Sequence, residues 1–474
     1  MGIFLDGYQH LTHHVVPGPQ GISYLIPLIL LPLALLIPRD SLSRWQSISV
    51  FLPVIGACTL HACWQMGGVD VISVDVFLWA LLLLALKDPW RDFRYLTINT
   101  SDRRPTRRTV QVDTGLPKIG ANGALAEQTE PTITQGMPNH RTQPPGEPYP
   151  EKLSRRPAWV GRLLISITLT NWIIGSSSHD KAQPRAPGFH SRTAFLRHSL
   201  LSFTTGYLTL DLTRSYIEHD AYFTTPGISI TSPLPFSSLG FISSQLLRTM
   251  IIGAQAWALI GQMFYLPCLL PVGLNVLGLL SNEWSPHTWP PYFGPVSTIF
   301  MHGIRGFWGL YWHQTMRWTV SAPGYALADA LKLQSGGLAR YTVLTVMAFF
   351  LSGVVHMGLV PPQPLHATMS VSSIRVCVAG FFWLQPVGML LEVLVARLLL
   401  RHSNTTFRQN GRGRQIRQFV NCVWTIAWFA LTLHLLGEMA RQLGYWRIWP
   451  MPVSLWKGMH GEGWVTWPIL TRAE

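Results

Sequence analysis

Two histidines, 43 residues apart, stand where ionisable side chains are scarce. His356 lies in Phe349-Phe350-Leu351-Ser352-Gly353-Val354-Val355-His356-Met357, deep inside an apolar run. An ionisable group in such a run is costly to bury and marks a functional candidate. Ser352 is four residues earlier, so in a helix its hydroxyl shares the imidazole's face and can hold one ring nitrogen. A neutral imidazole placed this way suits a general base, taking a proton from a hydroxyl as that hydroxyl attacks an activated acyl group. The competing reading is a structural histidine bonded to a neighbouring helix.

His313 closes a second dense stretch. Arg305 to His313 packs an arginine, two tryptophans, two glycines and a histidine into nine residues. Read as a helix, Arg305, Trp308 and Trp312 share one stripe, and Gly306, Gly309 and His313 the next. Gly309, at i−4, leaves room beside the imidazole, because helical side chains lean towards the N-terminus. The alternative is a helix anchored at the bilayer surface by tryptophans. Glu392 is a lone carboxylate in a later apolar run, divided between packing with Gln385 and a role in the site.

The elements that must position these residues are membrane helices. The chain has 474 residues, of which 48% are hydrophobic and 12% charged, and mean hydropathy is +0.23. Soluble domains carry about 25% charged residues. The 20 tryptophans suit interfacial belts and aromatic-lined cavities. The net charge of +14 is concentrated in connectors between apolar runs, as in the cytosolic loops of membrane proteins, which argues against nucleic-acid binding. Five cysteines without CxxC pairing read as buried thiols, not as a disulfide framework or a zinc site.

In chain order, candidate spans run over 22–37, 45–64 and 71–86. Residues 91–157 form a basic loop rich in Pro, Gly, Thr and Gln, expected to be solvated, poorly ordered and cytosolic, which leaves the N-terminus lumenal. Residues 159–174 read as an interfacial segment and 195–212 as a span. Residues 241–280 fit two spans or one broken near Pro267 and Pro271. An irregular stretch covers 284–295. The dense stretch is expected as a helix at or just under the cytosolic interface, followed by a loop over 321–337. Further spans cover 341–360, 371–400 and 419–436, and a Trp-rich interfacial tail closes the chain. The expectation is an all-α polytopic membrane protein of about eight to ten spans. It divides into N-terminal helices over 1–90, the basic loop over 91–157 and a membrane core over 158–474. His10, His13 and His14, without partners at metal-ligand spacing, read as interfacial. Asn99-Thr100-Ser101 and Asn404-Thr405-Thr406 are glycosylation sequons in connectors placed in the cytosol.

Arg305-x-Phe307-Trp308-Gly309-x-x-Trp312-His313, with Ser352-Gly353-x-x-His356, resembles the membrane-bound O-acyltransferase superfamily in its wax-synthase-like branch. Phe381-Phe382-x-Leu384-Gln385-Pro386-x-Gly388 with Glu392 resembles a C-terminal element of its fungal members. The resemblance covers about residues 290–395. It implies helices enclosing a catalytic chamber reached by acyl-CoA from the cytosol and by the acceptor from the membrane. It implies that His356 is catalytic and His313 a second polar site residue, with no metal or bound cofactor. Leu310 and Tyr311 stand where plant wax synthases carry basic residues, which shifts expected CoA contacts to Arg305, Arg317 and cytosolic loops. The segment at Asn171-Trp172 lacks the Arg-Gly-Ile-Gly-Trp run of many fungal relatives.

The expected function is transfer of an acetyl group from acetyl-CoA, as co-substrate, to a hydroxyl of a lipophilic terpenoid or meroterpenoid, in the endoplasmic reticulum membrane among its lipids. His356 and His313 are the catalytic pair. Arg305, Trp308, Trp312, Ser352, Gln385 and Glu392 are the expected substrate or CoA contacts. Long-chain wax or sterol ester synthesis is the runner-up. A proton-coupled transporter also fits intramembrane histidines and proline-broken helices, but the chain has no evident repeat and few intramembrane acids.

Overall fold

Proline does not divide the long apolar runs. In the computed structural model α1 (Ile22–Leu36) contains Pro27 and Pro32, and α2 (Arg44–Gln65) contains Pro53. Neighbouring helices re-satisfy the backbone groups that proline frees, which is why membrane helices tolerate it. The model describes residues 22–96, 146–166, 168–175, 189, 191–281, 284–364, 367–402 and 411–467. His10, His13, His14, both sequon asparagines and most of the basic segment lie outside the described residues.

α3 (Val71–Ala80) starts at Asp70, whose carboxylate accepts the Ser73 N–H, and continues into a π turn, Leu81–Leu86. α4 (Arg156–Ile165) is short, and its chain then bends into β2 (Trp172–Ile174). β2 pairs antiparallel with β1 (Phe93–Tyr95), Arg94 facing Ile173. Tyr95 and Glu147 exchange backbone hydrogen bonds of 2.9 and 2.7 Å. The chain at Tyr95 and the chain at Glu147 are therefore held side by side.

α5 (Arg192–His219) packs along α6 (Ser244–Val276), a single helix that keeps both Pro267 and Pro271 inside it. Thus 241–280 holds one unbroken helix, not two. α7 (Ser297–Gly306) carries the start of the dense stretch. α8 (Arg317–Ala330) occupies most of the expected loop 321–337. It forms because it packs antiparallel on α9 (Leu338–Met357), where Gly324 lets the backbones approach: a Cβ there would lie 3.3 Å from Leu344 Cα. α10 (Val371–His402) lies along α9. α11 (Gly411–Thr432) packs on α7, and α12 (His434–Gln442) packs on α10.

Five helices among the described residues are long and apolar enough to cross a membrane: α2, α6, α9, α10 and the run from Arg412 to Gln442. Two shorter apolar helices, 23–36 and 71–86, accompany them. The fold is helical and membrane-spanning; these helices do not by themselves amount to eight to ten spans. All five cysteines are free thiols.

Two ends of the bundle are marked by contacts. Arg375 donates to Gly67 O at 2.7 Å and to Val360 O at 3.2 Å at one end. Arg39 pairs with Asp88 at the other, beside the β pair. Between them, α7 descends, the chain turns at 312–316, and α8 returns. Trp308 meets Gln385 and Phe349 at the turn, so it reaches the middle of α9 and α10. The dense stretch therefore packs against the middle of both helices.

Candidate active site

The dense stretch is helical only in part. Gly303 adopts φ 62° and ψ −140° and breaks α7. Ile304 to Tyr311 resumes as helix and closes in a π turn, Phe307–Tyr311. Trp312 is extended, at φ −65° and ψ 151°. Trp312 and His313 therefore leave the helical stripes expected for them, and the i−4 relation of Gly309 to His313 does not apply. A Cβ on Gly309 would meet nothing within 4 Å, so that position still faces open space.

α10 holds this stretch. The break at Gly303 exposes N–H groups that have no carbonyl one turn back. Glu392 accepts two of them, from Ile304 at 2.6 Å and Arg305 at 3.3 Å. Its carboxylate also lies 3.4 Å from Arg305 Nε. Two turns earlier, Gln385 Oε1 accepts the Trp308 indole N–H at 3.1 Å, while its amide donates to Phe381 O at 2.8 Å. Glu392 and Gln385 do not bond each other; each grips the dense stretch. Arg305, 13% exposed, is tied to Glu392.

The turn at 312–316 is laced by Gln314 and Thr315, which the sequence did not flag for the site, together with Arg317, which it did. Gln314 donates from Nε2 to Trp308 O and Trp312 O, and its Oε1 accepts from Arg317 at 3.1 Å. His313 Nδ1 lies 2.8 Å from Thr315 Oγ1. Its ring stacks on Tyr292, 5.4 Å between centroids and 8° from parallel. Thr315 also bonds the Tyr292 hydroxyl. No pattern in the sequence joins Tyr292 to Thr315, 23 residues apart. Burial, and then the charge His356 would carry, push His313 down to about 4. Burial pushes Tyr292 up to about 12, against the pull of its bond to Thr315. Both are neutral at physiological pH.

His356 projects from α9. Its Nδ1 lies 2.7 Å from the Ser352 carbonyl oxygen, while the Ser352 hydroxyl is at 3.5 Å. The backbone, not the expected hydroxyl, holds the ring. A carbonyl only accepts, so Nδ1 carries the hydrogen and Nε2 keeps a free lone pair. Phe382 of α10 lies against the ring, 4.1 Å between centroids. Close packing of α9 on α10 at Gly353, where a Cβ would come 2.5 Å from Trp383 Nε1, brings them together. Through Phe382 on His356 and Gln385 on Trp308, α10 ties the two histidine-bearing segments together.

An open cavity of about 850 Å³ adjoins His313. Its inner wall includes Trp312, Gln314 and Thr315, and towards the β pair it is lined by Trp172, Trp289 and Arg162. Trp308 lies apart from this cavity, packed among Phe349, Phe381, Phe382 and Phe429 with centroids 5.4–6.2 Å away. None of His313, His356 and Arg305 lines it; His313 meets it only through its neighbours Trp312, Gln314 and Thr315 and the ring of Tyr292. Of the expected ligand contacts, then, Trp312 lines the cavity, and Arg305, Trp308, Gln385 and Glu392 bond or pack within the protein.

Residues 289–384 match the model of the membrane bound O-acyl transferase family. The chain is related to these acyltransferases. The matched span includes both histidines and stops just before Gln385 and Glu392. Acetyltransferase eriL of Hericium erinaceus is 26% identical over 299 residues, 61% of this chain and 68% of that one. Acetyltransferase ataH of Aspergillus terreus is 26% identical over 258 residues, 51% of this chain and 76% of that one. Acetyltransferase spyB of Aspergillus fumigatus is 27% identical over 284 residues, 56% of this chain but only 44% of that one. No solved structure matches. The chain is an enzyme of the acyltransferase class.

Proposed function

We propose that this protein transfers the acetyl group of acetyl-CoA to a hydroxyl of a lipophilic terpenoid or meroterpenoid, with His356 as general base. The observation that carries the reading is the lone pair left on His356 Nε2 by the Nδ1 bond to Ser352 O. The named acetyltransferases among the relatives favour a two-carbon acyl group.

In this reading Nε2 takes the acceptor's proton as its oxygen attacks the thioester carbon. The C–S bond then breaks, an ester forms, and the imidazolium returns its proton to the departing CoA thiolate. In the same reading the Thr315 hydroxyl, 2.8 Å away, donates to His313 Nδ1, so His313 Nε2 carries a hydrogen. That N–H is placed to steady the thioester oxygen as negative charge develops. The cavity beside His313 takes the donor, with Arg162 and Arg317 in its wall for anionic groups. The acceptor arrives from the lipid. In this reading the protein lies in the endoplasmic reticulum membrane with the end near the β pair on the cytosolic side, as its basic residues favour, the N-terminus lumenal and 158–474 as the acyltransferase core.

Membranes bearing the protein, incubated with labelled acetyl-CoA and a pool of terpenoid and fatty alcohols, test this. Label is expected in a terpenoid ester. Transfer only from a long-chain acyl-CoA would make the protein a wax or sterol ester synthase instead.

A further inference from the structure

One face of α10 touches both histidine-bearing segments. Phe382, Gln385 and Glu392 fall on it at i, i+3 and i+10. Phe382 packs on His356, Gln385 holds the Trp308 indole, and Glu392 holds the backbone where the dense stretch resumes as helix. α10 is therefore the part that sets one segment against the other.

Glu392 makes the tightest of these contacts. A Cβ at Gly303 would lie 2.0 Å from its Oε1, so the carboxylate fills the space a side chain at 303 would take. The positive φ of Gly303 and the carboxylate are thus two halves of one joint. The break turns the Ile304 and Arg305 N–H groups outward, and the anion receives them at the positive end of the resumed helix. Glu392 is 8% exposed and Arg305 balances its charge. The resumed helix runs directly into Trp312 and His313.

We infer that Glu392, seated against Gly303, is a positioning residue that fixes where His313 sits relative to His356. It does so through the backbone at Ile304 and Arg305 and touches no reacting atom. The inference rests on the acyltransferase reading only for its kinetic test.

The test compares the wild type with Glu392→Gln, Glu392→Asp, Gly303→Ala and the double variant Gly303→Ala/Glu392→Asp in matched membranes. A small displacement of a catalytic group costs up to about a hundredfold in rate. Glu392→Gln, which loses the charge and one acceptor, is expected to lower kcat by about tenfold or more with KM for acetyl-CoA changed less than about twofold. Glu392→Asp restores most of kcat. Gly303→Ala lowers kcat, and pairing it with the shorter Glu392→Asp recovers part of the loss. A second readout needs no activity. Carbethoxylation of His313, mapped by mass spectrometry, rises several-fold in Glu392→Gln while that of His198 is unchanged. Wild-type kcat and unchanged His313 labelling in Glu392→Gln would overturn the inference. So would equal loss in the Gln and Asp variants in step with falling thermal stability, which is the mark of a merely structural part. If the wild type transfers no acyl group yet the labelling shifts, the acetyl-transfer reading fails and the positioning stands.

Discussion

Ser352 holds His356 through its backbone: the carbonyl oxygen lies 2.7 Å from Nδ1, and the hydroxyl, at 3.5 Å, is outside good bonding range. The side chain at 352 is therefore dispensable for the tautomer. Ser352→Ala should keep kcat within about threefold, since it removes no strong bond to the base. A loss like that of His356→Ala would return the hydroxyl to the mechanism. Steady-state rates in membranes decide it.

Thr315 and Tyr292 are expected to matter although no motif marked them. Thr315→Val removes the only side-chain bond to His313 Nδ1 that the described residues show, and kcat should fall about tenfold to a hundredfold, the scale of a lost transition-state donor's support. Tyr292→Phe keeps the stacked ring and should cost less. The reverse order would make the stack, not the hydroxyl chain, the feature that holds His313.

His313 gives a pH dependence. Its folded value, about 4, lies below the ordinary 6.5. Between these values the unfolded chain binds more protons than the folded one, so stability rises with pH through this window. Acidifying from pH 7 towards 4 should lower thermal stability, and His313→Gln should flatten that part of the profile. Thermal unfolding across pH 4–7 reads both effects.

The ion pair of Arg248 and Asp220 is a control that takes no part in the proposed chemistry. Its atoms meet at 2.8 Å with 1% and 2% of the side chains exposed, and Arg248 also donates to Ile230 O and Ser232 O. Asp220→Ala strands a buried cation and should cost about 3–5 kcal/mol. Specific activity per folded molecule should stay near wild type. A selective loss of turnover at wild-type stability would show that this joint communicates with the site.

Trp308 offers a second stability test. Gln385 is wholly buried, and Trp308→Phe leaves its Oε1 without the indole donor. The expected cost is about 1–3 kcal/mol. Unchanged unfolding would mean that the bond is replaced.

Much of this was legible in the sequence, for physical reasons that also explain the rest. Hydrophobic length put spans at 45–64 and 341–360, where α2 and α9 lie, and the rarity of a histidine inside an apolar run singled out His356. Periodicity failed at Gly303, because nothing local announces a positive φ inside an apparent helix; the cause is a carboxylate 89 residues away. It failed at 321–337, read as a loop, where packing against α9 supplies the helix as far as Ala330. Glu392 was visible as an anomaly, yet its partners are backbone groups, which carry no sequence signal. Thr315 is an ordinary residue whose role exists only once Tyr292 is folded beside it.

The most direct measurement is transfer of labelled acetyl from acetyl-CoA to a terpenoid alcohol by His356→Ala and wild-type protein, at matched amounts of folded enzyme. A base removed from the transition state predicts a fall of about a hundredfold to ten-thousandfold, with acetyl-CoA binding retained. Transfer at the wild-type rate by His356→Ala would contradict the account and place the base elsewhere.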